Sequence, residues 1–289
     1  MSVAVYFIID IIAYMSSLTP TYAALEWQAR KTFVRIITQT CHDRDIRLTW
    51  LSDHWIAKLE RNNHRCYIHA YVFPLNNAAS AAIMRDKVST YEVLKAENLP
   101  AVPHYLLRLP ADRRTTDTTE HLLQITPLPV VLKPNVSESG GVDVYKCLTK
   151  TELGHASQKL ASRYPSIAVS PFTVITAEYR IVLLDGQPKV VFEKIPSGDQ
   201  WQHNLKFGAA PQVVTDEALH TKLVTIARQA LAIIKARVAA VDIIATPSGY
   251  QIMEINGGIT LNLFSSYSSE NTHIAASIYT DLVEASLQS

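Results

Sequence analysis

Three oxygen-bearing side chains near the end of the chain, Asp242, Glu254 and Asn256, lie on two apolar runs either side of a turn. Residues 238–245 and 250–256 read as strands, and Pro247-Ser248-Gly249 between them is turn chemistry. If Thr246 pairs with Tyr250, the numbers of cross-strand partners sum to a constant and Asp242 falls opposite Glu254. Side chains directly opposed in this way lie about 4.5–5.5 Å apart at Cβ. Asn256, two residues beyond Glu254, shares their face, while Val241, Ile243, Met253 and Ile255 turn the other way as core. Two carboxylates this close repel unless a cation lies between them. A few hard oxygen donors suit Mg²⁺, which keeps waters and shares ligands with phosphates. A solvated polar face, with Asn256 opening the Gly257-Gly258 turn, explains the same three residues, and strand geometry alone leaves both readings open.

Cations with an interest in phosphate lie upstream. Lys133 ends an apolar run and precedes a Ser/Gly-rich loop containing Ser137, Ser139, Gly140 and Gly141. Such a loop can offer backbone N–H groups to phosphate oxygens, with the lysine as point charge, although most loops with two glycines are only turns. Lys87 follows Asp86 in a helical stretch, where a surface ion pair worth about 0.2–0.5 kcal/mol is the plainer account. Arg180 and Lys194 lie on two runs joined by Asp185-Gly186, a strong hairpin signal. Near cross-strand neighbours of like sign would want an anion between them; charges on the rim are the alternative.

These residues need a scaffold of short strands and a few helices. An apolar opening at residues 3–12 reads as a buried strand, followed by a helix over 22–40 and strands at 46–51 and 65–73. The alternation predicts a small α/β lobe on a mostly parallel sheet. A single helix is expected over 80–98, with Arg85-Asp86-Lys87 inside it and Pro100 and Pro103 ending it. Residues 109–127 read as a solvated helix or loop, and 129–133 as a short strand. From residue 167 onward β structure dominates. A helix opens at Thr215, Asp216 and Glu217, a capping hydroxyl followed by acids in the first turn. A last helix is expected over 274–285.

Composition narrows the function. Lys and Arg number 27 against 26 Asp and Glu in 289 residues, a balance that offers no footprint for nucleic acid or an anionic membrane. The apolar N-terminus lacks a basic region, carries Asp10 and is too short to span a bilayer. A soluble, cytoplasmic protein is expected, with Cys41, Cys66 and Cys147 as reduced, partly buried thiols.

Taken in order, LNNAASAAIMRDKVSTYEVLKAENLP, PVVLKPNVSESGGVDV, EYRIVLLDGQ, WQHNLKFGA and VDII…MEINGG resemble the ATP-grasp superfamily over residues 75–264. Within it the chain looks most similar to amino-acid ligases related to the ribosomal-protein glutamate ligases. The resemblance implies an α/β (α+β) fold: an N-terminal α/β domain at 1–84, then two α+β lobes at 85–168 and 169–289 that clasp a nucleotide. It implies Lys87 and Lys133 on ATP phosphates, with Ser137, Ser139, Gly140 and Gly141 in the covering loop. Val169, Ser170 and Phe172 would lie in the segment that reads adenine. Asp242, Glu254 and Asn256 would hold Mg²⁺, two ions, with Mn²⁺ as an alternative. Arg180 would meet the γ-phosphate and the acyl-phosphate, with Lys194, Asn204 and Lys206 in the same cleft. One departure is that the segment Val169-Ser170-Pro171-Phe172 lacks the acid that relatives use for ribose, which leaves ribose recognition and nucleotide identity open.

The implied reaction joins a carboxylate to an amine through an acyl-phosphate, releasing ADP and phosphate, with amino acids or a small peptide as substrates. Asn76 and Asn77 are candidates to touch the carboxylate, or simply to cap a helix. A hydroxyl kinase on the same scaffold and a nucleotide-binding protein without turnover are the alternatives; a homo-oligomeric assembly is left open.

Overall fold

The described residues build three antiparallel sheets, and the site lies where two of them face each other. The computed structural model describes residues 22–108, 124, 126–136, 141–198 and 200–288. The strand expected at 3–12, most of the polar segment 109–127, and Ser137, Ser139 and Gly140 lie outside them.

Helix α1 (Tyr22–Asp43) precedes strands β1 (Arg47–Leu51), β2 (Ile56–Arg61) and β3 (His64–His69). These strands form an antiparallel sheet in the order β1-β2-β3, not the mostly parallel one expected from alternation. The connections decide the matter, because parallel neighbours need a crossover of a dozen or more residues. Here Asn62-Asn63, both at positive φ, turn β2 straight back into β3. Strand β2 is absent from the sequence reading because its run IAKLER is half polar.

The helix expected over 80–98 is two, α2 (Ala78–Arg85) and α3 (Lys87–Ala96). Asp86 breaks it with extended backbone (φ −106°, ψ 111°), and its carboxylate accepts from the Ser89 N–H at 2.7 Å to cap α3. Asn77 caps α2, accepting from Ser80 N–H at 2.9 Å. Asn76 accepts from the N–H groups of Arg237 and Val238 and donates to the Val238 carbonyl. The side chains of both asparagines are thus spent on structural hydrogen bonds, the capping alternative for Asn77.

Strands β4 (Tyr105–Arg108), β5 (Val130–Pro134), β6 (Tyr145–Cys147) and β7 (Ser166–Pro171) form a four-stranded sheet in the order β4-β7-β5-β6. Its back packs Leu107, Val130, Leu132, Ile167 and Val169 on α4 (Lys150–Ala161). A capping box between Thr149 and Glu152 fixes where α4 starts.

The third sheet runs β10-β9-β8-β11-β12 and is antiparallel throughout. Its strands are β8 (Ala177–Leu184), β9 (Gln187–Ile195), β10 (Ala210–Val213), β11 (Val238–Thr246) and β12 (Gly249–Asn256). Asp185-Gly186 turns β8 into β9 as expected, both at positive φ. Helix α5 (Glu217–Ile234) covers the back through Leu223, Ala227 and Leu231. Its cap is Asp216 rather than Thr215: the carboxylate accepts from Leu219 N–H at 2.7 Å. On the front, α1, α6 (Asn262–Ser265) and α7 (Ser269–Ser286) cover half the face around Phe33, Phe264 and Tyr279. No described helix is long and apolar enough to cross a membrane. All three cysteines are free and buried, and burial pushes the Cys66 and Cys147 thiols up to about 11.

Candidate active site

Asp242 and Glu254 do stand opposite each other, by a route the assumed register lacks. Thr246 pairs with Gly249 and Ala245 with Tyr250, one residue off the expected pairing. A β-bulge between Asp242 and Ile243 then adds one residue to β12 and restores Asp242↔Glu254. The bulge also moves the core position: Ile252 and Ile255 are buried, whereas Met253, expected in the core, is only half-buried.

Asp242 is 1% exposed and forms a bidentate pair with Arg180 directly across β8, Nε to Oδ1 and Nη2 to Oδ2, each at 2.7 Å. Lys194 Nζ lies 3.2 Å from Asp242 Oδ1 and 2.5 Å from Glu178 Oε1. Arg180 is opposite Phe192, so Lys194, two residues further along β9, is its diagonal neighbour on the same face, and the anion between them is the protein's own. Burial opposes the Arg180 charge, yet Asp242 holds its pKa above the usual value. Burial raises the Glu178 pKa against the pull of Lys194.

Two lysines approach from the other side. Lys87, at the first position of α3, donates from its backbone and its ammonium to the Asn135 carbonyl, two residues past Lys133. Asn135 also donates to Asp86 at 2.9 Å and accepts from Val88 N–H, strapping the helix start to the end of β5. Burial, reinforced by Lys87 and opposed by Glu254, lowers the Lys133 pKa to about 8. Burial works against Glu254 ionisation, but Lys87 and Lys133, with a hydrogen bond from Asn256 at 3.0 Å, hold it down to about 2. The cleft thus sets Lys87, Lys133, Arg180 and Lys194 against Glu178, Asp242 and Glu254, a surplus of one positive charge for an anionic ligand.

Among the described residues no three His, Cys, Asp or Glu side chains cluster to hold a metal unaided. Two carboxylates and an amide oxygen fit a hard cation that completes its shell with phosphate and water. Both Asp242 oxygens already accept from cations, so that fit requires an exchange of partners.

The remaining expected residues fall as follows. Val169 packs into the back of the four-stranded sheet and is paired with both β4 and β5. Pairing with β4 ends there, so the backbone leaves that ladder only from Ser170 onward. Ser170 is buried on the same face as Ala168 and Lys133. Phe172 carries the Lys146 ammonium 3.8 Å above its ring and meets Trp201 edge-on at 6.0 Å. Asn204 caps the 3₁₀ turn Leu205–Phe207, accepting from Lys206 N–H at 2.9 Å. Gly141 (φ +89°) approaches this turn so closely that a Cβ there would lie 2.6 Å from Asn204 Nδ2.

Sequence reasoning missed Glu178, Lys146 and two histidines. Glu178 had a signal, a lone acid in an apolar strand two residues before Arg180. His104 is buried with Nδ1 2.8 Å from the Val102 carbonyl and no partner for Nε2; burial and Lys133 lower its pKa. His203 Nδ1 is likewise buried without a partner.

The RimK-like ATP-grasp domain matches residues 84–281, and the chain belongs to that family. A D-alanine–D-alanine ligase of Glaesserella parasuis serovar 5 is 28% identical over 128 residues, which cover 44% of this chain and 40% of the relative. That of Acinetobacter baumannii is 27% identical over 119 residues, covering 41% and 36%. The matched stretch is well under half of these relatives' length. Among solved structures, the D-alanine–D-alanine ligase of Bacillus anthracis shares the fold with a TM-score of 0.58 at 17% identity, over 74% of this chain and 69% of that one. The Coxiella burnetii ligase gives 0.55 at 22%, over 74% and 59%.

Proposed function

We propose that the chain is an ATP-dependent carboxylate–amine ligase that makes an amide bond through an acyl-phosphate and releases ADP and phosphate. The observation that carries this reading is the row of cations and carboxylates on one sheet facing Lys133 on another, with positive charge in excess. Lys87 and Lys133 hold phosphates, with Ser137, Ser139, Gly140 and Gly141 as the covering segment, and Gly141 itself lies against Asn204. Ser170 and Phe172 lie beside the base. Asp242, Glu254 and Asn256 hold Mg²⁺, which would neutralise charge on the phosphate oxygens. A substrate carboxylate attacks the γ-phosphate while Arg180 and Lys194, with Asn204 and Lys206 nearby, stabilise charge on the transferring group. An amine then displaces phosphate. The names of the relatives support small amino acids or peptides as substrates, and buried free cysteines fit a reducing cytoplasm. The three-part division at 1–84, 85–168 and 169–289 belongs to the same reading, with the first boundary next to the break at Asp86.

The test is incubation with ATP, Mg²⁺ and pooled amino acids and dipeptides, following phosphate release and new masses together. Free phosphate with an amide-linked product is the expected result. Phosphorylated product without free phosphate would mean a kinase. Nucleotide binding with no ADP under any mixture would mean a protein without turnover.

A further inference from the structure

Glu178 is a buried carboxylate with no part in the reaction above, yet it sits at the centre of the charge row. Its neighbours are arranged in matched pairs. Glu178, one residue before the Tyr179↔Glu193 pair, bonds Lys194; Arg180, two residues along β8, lies across from Asp242 and grips it through Nε and Nη2. Lys194 also reaches Asp242 Oδ1, so Asp242 receives three donors while Glu178 receives one.

The quartet is neutral as it stands, two cations against two carboxylates. A divalent cation that takes Asp242 leaves Arg180 and Lys194 with a single carboxylate between them. A buried cation stripped of its partner is strongly unfavourable, so the identity of the orphan matters. The carboxylate left behind is the one bonded to Lys194. Arg180, whose two side-chain hydrogen bonds both go to Asp242, is the cation set free, and a planar guanidinium suits phosphoryl oxygens.

We propose that Glu178 is a positioning residue, the standing counter-ion that holds Lys194 in place in the cleft, which lets Asp242 pass to a divalent cation and releases Arg180 toward phosphate. The inference rests on the ligase reading and assigns Glu178 a role there. Without Glu178, both cations would compete for Asp242 and the metal would have to displace both. Metal capture and Arg180 release are then coupled through Asp242, and coupling of this kind is worth roughly 5- to 150-fold in affinity.

The experiment is calorimetric titration of Mg²⁺ into the full chain saturated with a non-hydrolysable ATP analogue. E178Q is expected to weaken Mg²⁺ binding roughly tenfold or more, while affinity for the metal-free analogue does not fall, since Lys194 is still present. E178D, which keeps the charge, should shift the Mg²⁺ midpoint less. E178Q/K194M, which removes the orphaned cation, should restore it to within about twofold of wild type; this variant also decides the matter if E178Q alone does not fold. A structural role would lower the melting temperature without this pattern. Wild-type-like Mg²⁺ binding in E178Q, or no recovery in the double variant, overturns the inference alone. A wild-type chain that binds no analogue with Mg²⁺ overturns the ligase reading and the inference with it.

Discussion

The front of the five-stranded sheet is two surfaces on the same strands. Stepping by two, β8 runs Leu184 and Val182 and then Arg180 and Glu178. Strand β9 runs Val190 and Phe192 and then Lys194; β11 runs Val238 and Ala240 and then Asp242. The first half packs against Phe33, Phe264 and Tyr279. The second faces Lys133 across the cleft. Burial does not separate them, because Phe192 and Asp242 are each 1% exposed. What separates them is how the buried groups are satisfied. One half is held by packing and the other by matched charge, and only matched charge can change partners when a ligand arrives.

Removing one residue from each half should break that symmetry. Asp242→Ala leaves Arg180 and Lys194 without their shared carboxylate, and breaking a buried pair in this way costs about 3–5 kcal/mol. Chemical denaturation should show that loss, and calorimetry should show that Mg²⁺ no longer tightens analogue binding. Phe192→Ala empties a site whose ring centre lies 4.8 Å from that of Phe264, at about 3–4 kcal/mol. At temperatures where Phe192→Ala is still folded, its analogue affinity should match wild type. If it falls as far as in Asp242→Ala, the halves are one cooperative unit and the distinction fails.

A smaller effect, of opposite sign on stability, is expected from Lys133→Met. Here a buried cation held at a cost is replaced by an apolar chain of similar length, so stability should hold or rise, while analogue affinity drops roughly 10- to 100-fold. The pH dependence follows from the folded pKa of about 8, below the ordinary lysine value of 10.5. The folded state disfavours the charged form, so the penalty is full below about 8 and is relieved as pH rises toward 10.5. Ligand-free wild type should therefore gain stability over that window relative to Lys133→Met. Its affinity for the analogue should fall as pH climbs past about 8, where the ammonium is lost. Calorimetry at pH 7 and pH 9 reads the second effect directly, and equal affinities would remove Lys133 from the phosphate site.

Much of the charged half was legible because charges stand out in apolar strands: Arg180, Lys194, Asp242 and Glu254 were all found by type and spacing. Their partners were not. The pairing Asp242↔Glu254 came from a register one residue off, made good by a bulge that no residue type announces. Arg180 and Lys194 look like neighbours wanting an outside anion, because nothing local shows that Glu178, one more residue of a strand, bonds Lys194. The helix break at Asp86 is hidden by the good helix formers before it, from Ala78 to Arg85; Asn135, 49 residues away, bonds Asp86 there, which no local pattern can reveal. The Asp185-Gly186 hairpin stands where the sequence predicts it, whereas the Asn62-Asn63 hairpin and the antiparallel first sheet escape the sequence along with strand β2. Local chemistry shows in the sequence, and partnership across strands shows only in the fold.

The smallest effect is expected from Asp216→Ala, and it tests the comparison by leaving both halves alone. Asp216 caps α5, the helix behind the sheet, through one exposed hydrogen bond to Leu219 N–H. Losing such a cap costs about 1 kcal/mol, a fall in melting temperature of about 2–4 °C for a chain of this size. The helix keeps its apolar contacts through Leu223, Ala227 and Leu231, so the sheet's front should keep its geometry. Analogue affinity, with and without Mg²⁺, should stay within about twofold of wild type. If it weakens in step with stability, general loosening of the sheet is enough to disturb the charge row. The losses predicted for Asp242→Ala and Lys133→Met would then have to be measured against that baseline before any of them is assigned to charge.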